Sequence, residues 1–407
     1  MTLIRGRSGP DLSHLQLGPW PMGEHRVVLR PPRLDDVAAW RDIRVRDRLL
    51  IEPFWAYSPL RWEQRHSDRA WLRECLRNRS EARSGRSVGF VIDVDGELRG
   101  QCALTDIDRP GRSAELGIWV DSTLASSGLA ILAGSLVSDF AFGTLGAERV
   151  TAPVCVGNVR AAGACRKGGF REEALMRNYF RVGADGVERD HLQLTLRLST
   201  VPPEGVTRSL SRYFDPDGTT VGRHMSRAEW PRYWRWSTGG DGLRYLFGAI
   251  CTGVCGMVGR IGRQRVVGRP VQASGVVLTA RSGRDATFTV TVDDVPVGVC
   301  GLRGLDELSS HVTAWFNLRP GTDGSLAAVV NALVSRAFAV RGLRRVAVVS
   351  VPDSALSDVL ADLGFEREGL LIEHTDAVGR RGDHELWGVT VALWNRAMQP
   401  ESRRAAS

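Results

Sequence analysis

The strongest constraint on what this chain can fold into is that it repeats itself. Displaced by 196 positions, Trp40 falls on Trp236, Trp119 on Trp315, Gly128 on Gly324 and Phe142 on Phe338. Gly146 then meets Gly342, Arg149 meets Arg345 and Val150 meets Val346. One residue out of step, Gly169-Phe170 meets Gly364-Phe365 and Glu173 meets Glu368; two further out of step, Asp190-His191 meets Asp383-His384. A spacing this long is far beyond a solenoid repeat. It points to two copies of one domain, which 407 residues can accommodate as separate cores. The expected boundaries are an extension over 1–25, a first domain over 26–198, a linker over 199–220, a second domain over 221–395 and a tail over 396–407.

Each copy reads as mixed α/β, a central sheet flanked by helices. In the first, "RVVLR" (26–30) predicts a strand and "LDDVAAWRDI" an amphipathic helix, with a second helix over about 61–79. "VGFVIDVDGELRGQCAL" alternates as a hairpin does, with Asp95-Gly96 at its turn. "AELGIWV" (114–120) is a strand, followed by a loop of small residues and the apolar helix "AILAGSLVSDFAFGTL". "RVTAPVC" predicts the next strand, "NVRAAGACRKG" the next helix and "HLQLTLRL" (191–198) a closing strand.

Bulk properties narrow the function. A hydrophobic share of 43% and a charged share of 25% are those of a soluble globular protein. The net charge of +8 would suit an anionic ligand, but the arginines are dispersed, without a basic run, and do not point to nucleic acid. Seven cysteines form no disulfide or zinc spacing, which is the usage of free thiols in a reducing cytoplasm. The N-terminus carries no apolar signal region. "YLFGAICTGVCGMVG" (245–259) is 15 residues, shorter than the roughly 20 needed to span a bilayer, and is expected as a buried helix.

The order of these elements, with "AELGIWV", the Gly128-x-Ala130 loop, "GNVRAAGACRKGGFREE" and "RDHLQLTL", resembles the GNAT acyl-CoA N-acyltransferases. Within them it is similar to the RimJ/RimL-like branch, the ribosomal-protein-alanine N-acetyltransferases, over about residues 26–198. The resemblance implies a GNAT fold in each copy, acetyl-CoA as cosubstrate, no metal and an amine acceptor. The loop supports this on its own physics. Its short side chains let backbone N–H groups approach a phosphate, and the helix behind it presents unpaired donors and partial positive charge. The family's loop holds the CoA pyrophosphate; here Val120, Ser126, Ser127, Gly128, Leu129 and Ala130 occupy it, with Ala125 where relatives carry a basic or amide residue. Asn158 is a favoured helix cap and, in the family, also bonds the pantetheine arm.

Lys167 is the only lysine among 54 basic residues. It sits near a helix end, where a cation complements the dipole, and the family commonly places a basic residue there beside the cofactor. Amine acylation needs a base, an oxyanion donor and an acid that reprotonates the thiolate. Glu115 matches the family's base position, and a backbone N–H of its strand is the family's oxyanion donor. The branch's acid, a Ser three residues after the Asn, is Ala161 here, and its alternative Glu position is Phe180. Other GNAT branches place a Tyr seven residues after the Asn, and that position is Cys165 here; a free thiol, ionising near about 8.5, could reprotonate CoA, so the resemblance makes Cys165 a candidate acid, against a plain packing role.

The second copy is expected to be degenerate: Asp323 enters its loop, Asp353 stands near the Asn158 position, His311 at that of Glu115 and Leu360 at that of Cys165. An α-amine, with a pKa of about 7.8, is partly neutral at physiological pH while a lysine is not, which favours a protein N-terminus as acceptor. An inactive tandem GNAT serving as a CoA-sensing or protein-binding module is the alternative. An intramolecular pseudo-dimer of the two copies is a further expectation.

Overall fold

The computed structural model describes residues 10–215, 226–227, 271–273, 275–281, 286–304, 310–340 and 342–398. The segment 245–259, Trp236 and two of the cysteines, Cys251 and Cys255, lie outside the described residues. Among the described residues no helix is long and apolar enough to cross a membrane. The chain divides into two compact units. The first contains residues up to 172 with 182–186 and 193–250; the second contains 173–181, 187–192 and residues from 251 onward.

In the first unit, β1 (Leu15–Met22), β2 (His25–Arg30), β3 (Val88–Val94), β4 (Glu97–Asp108) and β5 (Ser113–Val120) pair antiparallel in succession. β6 (Arg149–Cys155) then joins β5 in parallel. The chain continues through β7 (Arg171–Val182) to β8 (Val187–Arg197), which pairs with β6. This is the mixed sheet with flanking helices of a GNAT fold. On one face lie α1 (Val37–Arg46) and α4 (Asp68–Ser84), joined through the short helices α2 (Arg48–Ile51) and α3 (Trp62–Arg65). Their core is aromatic: Trp40, Trp71 and Trp119 are all buried with Ile43, Leu72 and Val91. On the other face lies α5 (Leu129–Gly143), apolar nearly all round and therefore buried nearly all round. Gly134 lets it approach Leu116 and Ile118 of β5; an added Cβ there would stand 3.2 Å from the Ile118 side chain. The helix α6 (Val159–Lys167) follows β6.

Three features depart from the sequence expectations. The extension over 1–25 includes a sheet strand, β1, and the helix expected over 61–79 is α3 followed by α4. The linker over 199–220 is ordered at its start. There α7 (Val206–Ser209) is tied to α5 through Asp139, which accepts from Val206 N (2.7 Å), Thr207 N (3.0 Å) and Thr207 Oγ1 (2.6 Å). Val206 and Phe214 are buried.

The second unit runs β10 (Val271–Ala273), β11 (Val276–Ala280), β12 (Ala286–Val292), β13 (Val295–Arg303) and β14 (His311–Leu318) in antiparallel succession. The two-residue strand β9 (Ser226–Arg227), expected in the second domain, belongs to the first unit, as does the strand β1 it pairs with. After α8 (Asp323–Phe338), β15 (Arg345–Ser350) joins β14 in parallel. α9 (Ala355–Asp362) follows, then β16 (Glu366–Thr375) and β17 (Arg381–Thr390), with β17 inserted between β15 and β16, and α10 (Val391–Ala397) closes the chain.

The two units share local devices. Residue 99 in one and 297 in the other are bulged out where Ile92 pairs Gly100 and Val290 pairs Gly298. At both glycines an added Cβ would strike the neighbouring strand's carbonyl, Trp119 O at 2.5 Å and Asn317 O at 2.4 Å. Asn178 and Glu373 both adopt positive φ, and their backbone N–H groups donate to Asp190 and Asp383.

Candidate active site

The site is set by where β5 and β6 part. Their parallel pairing covers Ser113–Arg149, Ala114–Val150 and Glu115–Thr151, while β5 runs on to Val120 and β6 to Cys155. Beyond Glu115 the strands diverge, opening a cleft whose edges carry peptide groups not used in that ladder. Along β5, Leu116 and Ile118 face α5, so Glu115, Gly117 and Trp119 face the opposite side. Gly117 is exposed and an added Cβ would meet nothing within 4 Å. The strand is therefore open between Glu115 and Trp119. Burial, with a smaller push from Asp106, lifts the Glu115 carboxyl to about 8. It is protonated at rest at neutral pH and becomes a base just above it.

The loop after β5 is held by carboxylates at its start. Asp121, fully buried, accepts from Thr123 N (2.9 Å) and pairs with Arg46 and Arg99, while Asp47 accepts from Ser122 N (2.8 Å) and Ser122 Oγ (2.7 Å). These bonds to ionised oxygens hold both carboxyls below the usual range against the opposing effect of burial. Ser126 and Ser127 follow, Ser126 exposed with positive φ. Gly128 caps α5 in the left-handed region, at φ +89°. A Cβ there would lie 2.1 Å from the Tyr213 carbonyl oxygen, so the ordered segment after β8 closes over this glycine and only glycine fits. Leu129 is buried and anchors the first turn, its N–H donating to Ser127 Oγ at 3.3 Å; Ala130 behind it is partly exposed.

Asn158 caps α6, its side chain accepting from Ala161 N at 3.2 Å. Lys167 is exposed in the last turn beside Arg166, the C-terminal place a cation favours. Cys165 lies on the same helix, and burial pushes its thiol up to about 11. Burial makes it a weaker donor than an ordinary thiol, which favours packing over acid catalysis without deciding between them. Glu115, Val120 and the loop share one strand and its exit; Asn158, Cys165 and Lys167 share the helix after the neighbouring strand.

In the second unit the strand register revises the repeat alignment. Gly298 pairs with Leu318 as Gly100 pairs with Val120, which places Thr313, not His311, at the Glu115 position. The connection to the helix shrinks to residues 319–322, against 121–128 in the first unit. Gly324 is helical and open-sided rather than a left-handed cap, and the positive-φ glycine before that helix is Gly321. Ser354, following Asp353, caps α9 as Asn158 caps α6, and Leu360 is fully buried.

The sequence reading missed the surroundings of Arg44. Trp55, Trp62 and Trp119 gather round its guanidinium, and the crowding of tryptophans between residues 40 and 119 was the available signal.

Residues 26–171 match the model of the acetyltransferase (GNAT) domain family. The chain is 34% identical to RimJ of Mycobacterium smegmatis, solved with CoA-disulfide; the match covers 48% of this chain and 92% of that one, with a TM-score of 0.46. It is 29% identical over 113 residues to "Putative ribosomal N-acetyltransferase YdaF" of Bacillus subtilis (strain 168), 28% of this chain. The match spans 60% of that relative's length. A ribosomal-protein-S5-alanine acetyltransferase of Vibrio fischeri is 18% identical, covering 45% of this chain and 98% of that one, at a TM-score of 0.39.

Proposed function

We propose, from the premise that this chain belongs to the GNAT acetyltransferase family, that its first unit transfers acetyl from acetyl-CoA to a primary amine. The acceptor we infer is the α-amine of a peptide or protein N-terminus. The observation that carries this reading is the parting of β5 and β6 immediately after a carboxyl lifted to about 8.

The residues fit the cosubstrate. The cleft beyond Glu115 takes an extended arm along the strand edges, at Val120 and Asn158. The glycine cradle of Ser126, Ser127, Gly128, Leu129 and Ala130, at the start of α5, suits a pyrophosphate. Lys167 adds a cation at the end of α6. Acetyl-CoA supplies an activated carbonyl carbon and a thiolate leaving group. Glu115 takes a proton from the attacking amine as the C–N bond forms and the C–S bond breaks, and the departing sulfur is reprotonated from solvent. A backbone N–H of β5 near Gly117 meets the charge that develops on the carbonyl oxygen, an effect of about 2.7–4 kcal/mol for one well-placed donor.

We further propose that the second unit is a duplicated, degenerate copy that holds no acetyl-CoA. The shared bulge, the two crowded glycines and the paired Asn178 and Glu373 turns support the duplication. The four-residue connection and Thr313 support the loss of the site. One observation favours the inactive-module reading for the first unit as well: Ala161 stands where relatives carry the serine, and burial lifts the nearby Cys165 thiol to about 11.

The test is direct. The full chain is incubated with acetyl-CoA and a pair of peptides, one with a free and one with a blocked N-terminus, and the products are weighed by mass spectrometry. Acetylation of the free peptide alone is the expected result. Binding of acetyl-CoA with no acetylation of any amine would favour the inactive module.

A further inference from the structure

Arg30 and Arg44 of the first unit are almost equally buried, and of this pair Arg30 is neutralised. Arg30, 3% exposed, donates to Asp93 and to both oxygens of Asp36. Arg44, 2% exposed, has no such partner. Its Nε donates to His66 Nε2 at 3.1 Å, and His66 in turn donates from Nδ1 to the Trp62 carbonyl at 2.6 Å. That pair of bonds fixes a neutral imidazole. Burial, followed by the charge of Arg44, holds the His66 ring down to about 4, so it contributes no compensating anion and no competing cation.

The guanidinium lies 3.6 Å from the Trp55 ring centre, 4.9 Å from Trp119 and 5.3 Å from Trp62. Its Nη1 is buried with no hydrogen-bond partner. Three indole faces attract a cation but do not satisfy an N–H. Burial lowers the Arg44 pKa to about 9, against a smaller opposing pull from the Glu74 charge, which marks an incompletely compensated charge. A protein gains nothing in stability by keeping such a group unless something else completes it.

Its location says what does. Trp119 stands on β5 on the same face as Glu115, four residues further along, or about 13 Å of strand. Gly117 leaves the face open between them. Trp62 and Trp119 are buried, whereas Trp55 is partly exposed and covers the guanidinium, so a ligand reaches Nη1 only as the Trp55 ring moves aside. Trp55 sits at the hairpin rim, where its carbonyl accepts from Gly183 N at 3.0 Å and Ala56 bridges to Val182.

Building on the acetyl-transfer reading, we propose that Arg44 is a specificity residue of the acceptor site, binding through Nη1 the carboxylate of an acidic residue near the acceptor's N-terminus. With the α-amine at Glu115, about 13 Å of extended chain puts that carboxylate on the second to fourth residue. A free amino acid is too short to reach both groups, and a polyamine would bring a cation to a cation.

The test uses the full chain with acetyl-CoA and matched peptides differing only in Asp or Glu against Asn or Gln at positions two to four. The acidic peptide is expected to show kcat/KM about tenfold to a hundredfold above its amide twin, the range of one hydrogen bond to a charged group. In Arg44→Met the ratio falls to about one while the melting temperature does not drop, because an unpaired buried charge has been removed. The peptide pair on the unaltered chain decides the matter even if that variant fails to fold. Equal kcat/KM for the twins overturns this proposal and leaves acetyl transfer standing. If no peptide is acetylated, acetyl transfer fails, and calorimetric binding of the twins decides the proposal: tighter binding of the acidic peptide sustains it, equal or absent binding overturns it.

Discussion

Replacing Glu115 by Gln tests stability and catalysis through one carboxyl. In the unfolded chain this group ionises in the ordinary range near 4.5, and in the folded chain near 8. Between those values the native state holds a proton that the unfolded state has released, so stability falls as pH rises through that window and levels off above it. The full shift would be worth about 5 kcal/mol, and discounting for partial exposure leaves about 2–4 kcal/mol. Gln resembles the protonated acid and carries no such penalty. At pH 5 the variant and parent should therefore melt together, while at pH 8.5 the variant should melt about 5–10 °C higher.

The same titration shapes the rate. Both the acceptor α-amine, with a pKa of about 7.8, and Glu115 must lose a proton, so log kcat/KM should rise with a slope near two below pH 7.5. In Glu115→Gln the slope should fall to one and the plateau should drop by about 10²–10⁴. Thermal scans and peptide kinetics over pH 5–9 measure both. Parallel melting curves for parent and variant across that range would refute the claim that burial lifts this carboxyl, and with it the base assignment.

Two further substitutions probe the cleft. Gly128→Ala places a Cβ 2.1 Å from the Tyr213 carbonyl at a φ of +89°; it should cost more than about 1 kcal/mol and raise the acetyl-CoA KM, measured by melting and kinetics. Cys165→Ala should keep kcat within about threefold of the parent, since a thiol at about 11 is a poor donor; a much larger loss would restore the thiol as the acid.

Much of the first unit was legible in the sequence because its signals are local. Asp95 and Gly96 take positive φ at the hairpin turn, Asn158 caps its helix, and the alternation of "AELGIWV" predicted its two faces. Two strands escaped for physical reasons. β1 contains Gly18, Pro19 and Pro21, which read as loop, and its register is interrupted between Leu17 and Trp20. β7 reads "REEALMRNYFRV", rich in helix formers, and only its place in the sheet makes it a strand. The repeat alignment slipped by two residues in β5 because strand side chains alternate with period two, so such a slip preserves the inside-outside pattern. The paired glycines, Gly100 and Gly298, fix that register, and the parallel partners of Arg149 and Arg345, Ser113 and His311, agree with it. The Arg44 cage escaped for a different reason: its parts come from α1, α3, β5 and the loop carrying Trp55, and the crowding of tryptophans does not tell which of them meet.

Calorimetric titration of the full chain with acetyl-CoA tests the central claim most directly. A stoichiometry of one is predicted, from a first unit that keeps the eight-residue loop and a second that has lost it. No binding would contradict the assignment of the β5–β6 cleft, and two sites would contradict the degenerate second unit.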